Sequence, residues 1–596
     1  MRRTPVLESS PIPSRLGGLT ATERRLWRAF PHGELVDLRS GDTDRPSGAD
    51  HWPADRAVRG EVIAALLLGA CPPAAGAVAA VRLAGARITG GLVFDHGQVS
   101  PLLLLQGCRF DGPVVFDGAV TESIDLSGSQ LTTLSAKGAQ VRGTLDLSNT
   151  VITGPPSTTG TGEAGEAGEA GEAGEAGEAG EDERTVLADG IRIDGSLLAE
   201  KAAVTGSFGL INAQIEGRVN FIDAKLFNPR AGIESLNAGG IRIGRSLLAQ
   251  RLRTQGPLRL PGAKIGSSLY LTGAQLDGRG RSALHADSLT VASYSFFGPH
   301  QTEQVDQPFT ATGTVRLPGA KFGSGLTFSG ARLTATAGEP ALRANRLQVA
   351  GSLHLGKGFH TDGEIRLTGA RITGHLDLVE MASPDALLTL YAAAAAGGVN
   401  DRPDSWPGRL NLDGFSYGPF SEYAEATVRL DMIRRQVHRA DQSRTGGFRA
   451  QPYEQLAAYY RSLGNDGEAR TVLLARQRAL RAELPLLRRI PGHLLDLLVG
   501  YGYRPLRAFT WAIVLLVASS GYFSRVHPQR VSPDNTSTFN PVLYSADHLI
   551  PVVRFGQSDN WQYHGLPAAI TVVLTVLGWT LGIAIAAAVT RTFNRN

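Results

Sequence analysis

Large apolar residues recur every ten or eleven positions in two interleaved series. One runs Leu83, Phe94, Leu105, Phe116, Leu126, Ala136, Leu147, and the other Ile88, Val99, Phe110, Val120, Leu131, Val141, Ile152. Merged, they place an inward residue about every 5.3 positions, a period that neither a 3.6-residue helix nor a two-residue strand produces. A chain that turns a corner at each step does produce it. Such self-similarity predicts a solenoid, whose units are too small to bury their own apolar faces and are stabilised by stacking on their neighbours.

The register resumes downstream almost as copies: 258 to 276 read LRLPGAKIGSSLYLTGAQL, 315 to 333 read VRLPGAKFGSGLTFSGARL, and GARITG occurs near 85 and near 369. In Gly262-Ala263-Lys264-Ile265 the Ala suits a corner, the Ile the centre of a narrow column, and the Gly the bend. This A-x-L/F spacing resembles pentapeptide-repeat proteins, and the resemblance implies a mainly β fold, a right-handed quadrilateral β-helix. The extra residue in many units predicts looser corners and more strand-like walls. Four faces make a coil of about 21 residues, on the order of 14 coils, and a rod of ~65 Å. Ile265, Leu271, Phe322, Phe328, Leu367 and Leu376 are expected to share one interior column.

Four segments follow from the changes of period. Residues 1–75 form an N-terminal helical cap, with a capping box at Thr20 to Glu23 and a second helix from Pro53 to Gly69 burying Val58, Val62, Ile63, Leu66 and Leu67. Residues 76–415 form the solenoid. It is interrupted by a Gly-Glu-Ala insert at 155–184, too poor in apolar residues to order itself, and by a polar insertion at 300–307. Residues 416–500 are a helical adaptor in which Leu456, Ala457, Tyr460, Leu463, Gly464, Ala469 and Leu473 resemble one tetratricopeptide hairpin. Residues 501–596 are a membrane hairpin with spans near 508–523 and 566–589 and an outer loop at 525–565. Arg488, Arg489, Arg504 and Arg507 before the first span, with Arg591 and Arg595 after the second, place both termini in the cytoplasm, as does the lack of an apolar run after Met1. Tyr501 and Tyr503 are expected at one interface. Gly578, Gly582 and Ala586 make a small-residue stripe, suited either to packing on the first span or to a homodimer.

Chemistry is sparser than architecture. The net charge of +4 on 596 residues argues against nucleic acid as the main partner. Cys71 and Cys108 are too few for a disulfide framework and lack metal-pair spacing. Metalloprotease, Walker and nucleophile-elbow motifs are missing, and the one G-x-G-x-x-G string (Gly160, Gly162, Gly165) lies in the insert without a strand before it. His96, His354 and His375 fall at outward positions. Catalytic residues are therefore unassigned, and no cofactor or metal site is expected. The outer loop from Phe539 to Gly565 carries a short apolar helix and then Phe555-Gly556-Gln557, in outline similar to the pore helix and filter of two-span cation channels, with Arg554 where carbonyls would attract a cation.

The order of elements, with VRGEVIAALLLGA near 58–70, the GARITG coils, PYEQLAAYYRSLGNDGEAR and GYGYRP at 500–505, resembles an actinobacterial family labelled membrane-associated oxidoreductases. The label implies redox chemistry, with no designated residues to carry over. The resulting expectation is a two-span membrane protein whose β-helical scaffold meets a cytoplasmic protein partner. A membrane-associated oxidoreductase and a pore-forming hairpin stand as alternatives.

Overall fold

The computed structural model describes residues 13, 16–41, 46, 52–154, 184–230, 232–301, 306–437, 448–483, 485, 505–532, 537–550 and 552–593. The insert up to position 183, including Gly160, Gly162 and Gly165, and Arg488, Arg489, Arg504, Arg595, Tyr501 and Tyr503 lie outside them. The chain divides into two compact units, Met1–Tyr423 with Arg435–Val437, and Ala424–Arg434 with His438–Asn596.

In the first unit four parallel sheets of 14, 12, 13 and 13 strands form the walls of a β-helix. They are called faces I to IV in the order the chain meets them. One coil runs from Leu103 on face I through Phe110 on II, Val114 on III and Thr121 on IV, and returns to face I at Ile124. Ile124 stacks between Leu103 and Leu145, so successive coils repeat after 21 residues, and after 22 between Leu197 and Val219. At ~4.8 Å per strand, face I extends about 62 Å. The interior is a ladder of like on like. Phe94 stacks on Phe116 at 5.0 Å and Phe297 on Phe328 at 4.7 Å between ring centroids. All six residues expected in the column are buried.

Corners explain the period. At Leu260-Pro261-Gly262-Ala263 the amide of Ala263 donates to the carbonyl of Leu260 at 3.2 Å, Gly262 has φ +66°, and Ala263 is buried. The same turn recurs between faces I and II, with Lys201 (φ +55°), Asp223 (φ +57°) and Arg251 (φ +55°) at the third position. The bend thus does not require glycine. Its left-handed residue points outward, and a polar side chain there meets solvent.

One register expectation is overturned. Val120 is only half-buried and aligns with the outward Gln98 and Gln140, while Thr121 is 2% exposed and stacks between Val99 and Val141. Ala119 fills the corner before it, and the residue two places after that Ala points inward whether or not it is apolar. Thr254, Ser295 and Thr361 are also polar residues at inward positions.

At the N-terminal end α1 (Ala21–Ala29) has the expected capping box. Thr20 Oγ1 accepts from the amide of Glu23, and the Glu23 carboxylate accepts from the amide of Thr20 and from Arg59. The expected helix over 53–69 is shorter. Ala57–Arg59 is a strand paired with Arg87–Thr89, and only then do α2 (Gly60–Ala65) and a wide turn at Leu66–Ala70 follow. All five residues assigned to its apolar face are buried. Leu35–Asp37 likewise pairs with Arg82–Ala84, so faces I and II begin inside this segment.

In the second unit α3 (Ala426–Arg434), α4 (Gln451–Ser462) and α5 (Asp466–Ala482) form one helical cluster. The Tyr460 hydroxyl donates to the carbonyl of Ala424 at 2.5 Å, and the Glu468 carboxylate accepts from the amide of Ala426 at 2.7 Å. Gly464 (φ +73°) joins α4 to α5. Leu463, expected on the packing face, is 47% exposed because the chain is already turning there. Beyond lie α6 (Pro505–Phe523), α7 (Pro541–Leu549), the single turn α8 (Gln557–Asn560) and α9 (Leu566–Phe593). Among the described residues one stretch, Leu566–Ile583, is long and apolar enough to cross a membrane; Phe509–Phe523 is apolar and shorter.

Candidate functional site

Among the described residues of the solenoid, several reactive side chains pair between neighbouring coils, on a wall or at a corner. On face I the Asp377 carboxylate meets His354 Nδ1 at 2.9 Å and accepts from Asn400 at 3.1 Å. Burial pushes this carboxyl up, and His354, the amide of Val379 and the charge of Lys357 together more than offset it, so it lies below the ordinary value. At the corner between faces I and II, Asp223 accepts two hydrogen bonds of 2.6 Å from Arg251, which also touches His300. At the corner between III and IV, Asp287 accepts from Arg316 at 2.7 Å and faces His285 Nε2 at 3.3 Å. Burial again opposes ionisation, yet these two partners hold Asp287 at about 2. His96 and His375 are exposed, as expected. Cys71 and Cys108 are buried and not disulfide-linked, and burial pushes the Cys108 thiol up to about 12, which makes it a poor nucleophile. Among the described residues no group of three or more His, Cys, Asp or Glu is placed to hold a metal ion.

The loop between α6 and α9 is built around one carboxylate. Asp547, on α7, accepts from the amides of Phe555, Gln557 and Ser558 at 2.5, 2.7 and 2.9 Å, which fixes the turn leading into α8. Asn540 caps α7 through the amides of Val542 and Leu543. The helix then packs against α6 and α9, where Tyr544 and Leu549 join Phe523, Trp561, Tyr563 and Leu574 in one apolar cluster. A Cβ on Gly578 would stand 2.5 Å from the carbonyl oxygen of Leu549. The first member of the small-residue stripe therefore admits the end of α7. Since Gly578 lies 12 residues into α9, α7 reaches about 18 Å along that helix. Gly582 and Ala586 line an apolar cavity of about 500 Å³ with Phe509, Leu516, Leu549 and Trp579. Arg554 is exposed.

Face IV carries the most uneven charge. Its outward column reads Arg242, Lys264, Thr290, Lys321, Gln348, Arg371 on six successive coils, in register. The four cations are exposed and make no ion pair. The next outward column is small: Gly244, Gly266, Ala292, Gly323, Ala350, Thr373. Among the described residues no carboxylate stands on this face over these coils. Around the corner, face III stacks Arg259, His285, Arg316, Arg343 and Arg366, partly neutralised by Asp287 and Glu364, while Arg343 Nε is buried without a partner.

No family model, curated protein or solved structure matches this chain. The functional surfaces therefore rest on geometry. Face IV is not among the features singled out from the sequence. The signal was present in Lys264, Lys321 and Arg371, each directly after a corner Ala, but only the coil register shows that the intervening loops leave them on one wall. A second feature was missed on face I, where Tyr270 stacks on Phe296 at 5.0 Å and Tyr294 lies beside it, 52% exposed. These aromatics take outward positions, which a scan for the core passes over.

Proposed function

We propose that the protein is a membrane-anchored scaffold whose right-handed β-helix faces the cytoplasm and binds a protein partner along its walls. The observation that carries this reading is the repetition of outward side chains in straight columns on four unbroken parallel sheets. Columns of this kind suit an extended surface contact, in the way solenoids generally use their walls. The chain crosses the membrane twice, through α6 and α9, with α7 re-entering from the outside. The helix Leu566–Phe593 supports the second crossing, and the arginines flanking both spans support cytoplasmic termini. A homodimer through Gly582 and Ala586 belongs to the same reading. Kinship with the actinobacterial membrane-associated oxidoreductases is proposed on the segments quoted above, and a bound chromophore in detergent-purified protein would favour its redox label.

The test is topological. Single cysteines at Ser537 or Ser329, in a background lacking Cys71 and Cys108, are exposed to a membrane-impermeant thiol reagent in intact cells. Labelling is expected at 537 and absent at 329. The reverse pattern overturns the cytoplasmic scaffold.

A further inference from the structure

We propose that face IV, over the coils from Arg242 to Arg371, is the docking wall for an acidic protein segment of the partner, one presenting a carboxylate about every 9 to 10 Å. The inference rests on the scaffold reading and names the chemistry of its partner.

Three observations converge. First, the exposed cations of this wall have no carboxylate on their own face and no ion pair, so their charge is available to a ligand. Second, the adjoining column, Gly or Ala on five coils and Thr373 on the sixth, leaves a flat shelf beside them, on which a backbone can approach closely. Third, the spacing is regular. Lys264, Lys321 and Arg371 lie on every second coil, and two coil steps are about 9.6 Å. An extended segment of polyproline type rises about 3.1 Å per residue, so carboxylates at every third position fall about 9.3 Å apart on one side. The mismatch is a few tenths of an ångström per contact, well within the reach of Lys and Arg side chains.

That spacing also decides between classes of polyanion. Duplex DNA carries a charge about every 1.7 Å, far denser than this column. Lipid headgroups diffuse laterally and gain nothing from a fixed interval, whereas a polymer with its own repeat does. The chain itself carries glutamate at every third position in the Gly-Glu-Ala insert. The insert joins the solenoid at the corner between faces II and III, between Gly154 and Arg184, and would have to cross face III to reach this wall. A segment supplied by a partner meets no such detour.

The experiment measures binding of a fluorescent peptide with glutamate at every third position to the full chain in detergent, by anisotropy. Peptide binding that weakens steeply between ~50 and ~200 mM salt is expected. The triple change K264E/K321E/R371E should raise Kd at least tenfold, and K264Q/K321Q/R371Q should raise it by a smaller factor. The charge-matched K225E/R253E/R332E on face II should leave it within twofold. Unchanged melting of each variant establishes that the rod is intact. Equal losses from the two triple reversals would overturn the proposal, as would equal affinity for a peptide with its glutamates clustered. Binding to phosphatidylserine vesicles but not to the peptide would assign the wall to lipid and overturn it too. Peptide binding seen only after residues 155–183 are deleted would assign the wall to the chain's own segment and overturn the partner. Failure of the thiol-labelling pattern would sink the cytoplasmic scaffold without altering any of these affinities, so the two failures are separable.

Discussion

Phe328 shows how a single side chain supports the ladder. Its ring lies 4.7 Å from that of Phe297 and 6.3 Å from that of Phe359, fully buried between adjacent coils. Phe328→Ala removes a rung that neither neighbour can replace, and the expected loss is ~3 to 5 kcal/mol, read as a lowered denaturation midpoint. Asp287 supports the corner electrostatically. Its folded carboxyl lies near 2 against an ordinary 3.8, so it contributes stability above about pH 4 that is lost as pH falls through 2. Asp287→Asn should therefore destabilise the protein by roughly 1 to 2 kcal/mol at neutral pH, and the difference from the parent should vanish near pH 2. Such a pair was not legible in the sequence, because Asp287 and Arg316 are 29 positions apart and meet only through the coil register. The column was legible, because stacking like on like writes itself as a period. Thr121 marks the boundary between the two cases. Apolarity pointed to Val120, and only the corner Ala before it fixes which of the two side chains turns inward.

Elements made of local sequence were read well where the signal was capping and poorly where tertiary pairing overrode propensity. The Thr20 box starts α1 as written. By contrast Ala57–Arg59 has good helical composition and is a strand, because the edge of face II offers backbone partners at Arg87–Thr89 that a helix would forgo. The corners supply two predictions at this scale. Ala392 holds φ +53° with its side chain exposed, so Ala392→Gly removes a left-handed strain at no loss of packing. A gain of about 0.5 to 1 kcal/mol is expected in the denaturation midpoint. The insert supplies the second. A Cβ on Gly154 would lie 3.1 Å from Thr185 Oγ1, so the two flanks of 155–183 already meet. Replacing those residues by a short turn should leave the melting temperature within a degree or so, since closing a long loop costs only slightly more than closing a short one. A large loss would show that the insert is part of the wall. In the loop between α6 and α9 the short helix was legible from its apolar run, but the three amides converging on Asp547 were not, since they arrive from eight to eleven positions downstream.

For the whole molecule, the division into two units separates the proposed binding wall from the proposed anchor, and that separation is testable. The strands of face III end with Leu410, whose amide donates to the carbonyl of Arg435 and whose carbonyl accepts from the amide of Val437. A chain stopped after Val437 therefore keeps this closing bridge and every coil of the β-helix, while losing α4 through α9. Because a solenoid's stability is close to a sum of neighbour contacts, the shortened chain should melt as the solenoid of the full protein does. It should also leave the membrane pellet entirely, since Leu566–Ile583, the one stretch among the described residues long and apolar enough to span, is gone. Sedimentation of extracts at low and at high salt checks both halves. Release at every salt concentration confirms that α6 to α9 are the anchor. Retention at low salt with release at high salt would mean that the basic wall itself holds anionic lipid, and the acidic-segment proposal would fall with it. Retention at both would place the membrane contact within the solenoid and end the reading of the C-terminal hairpin as the anchor.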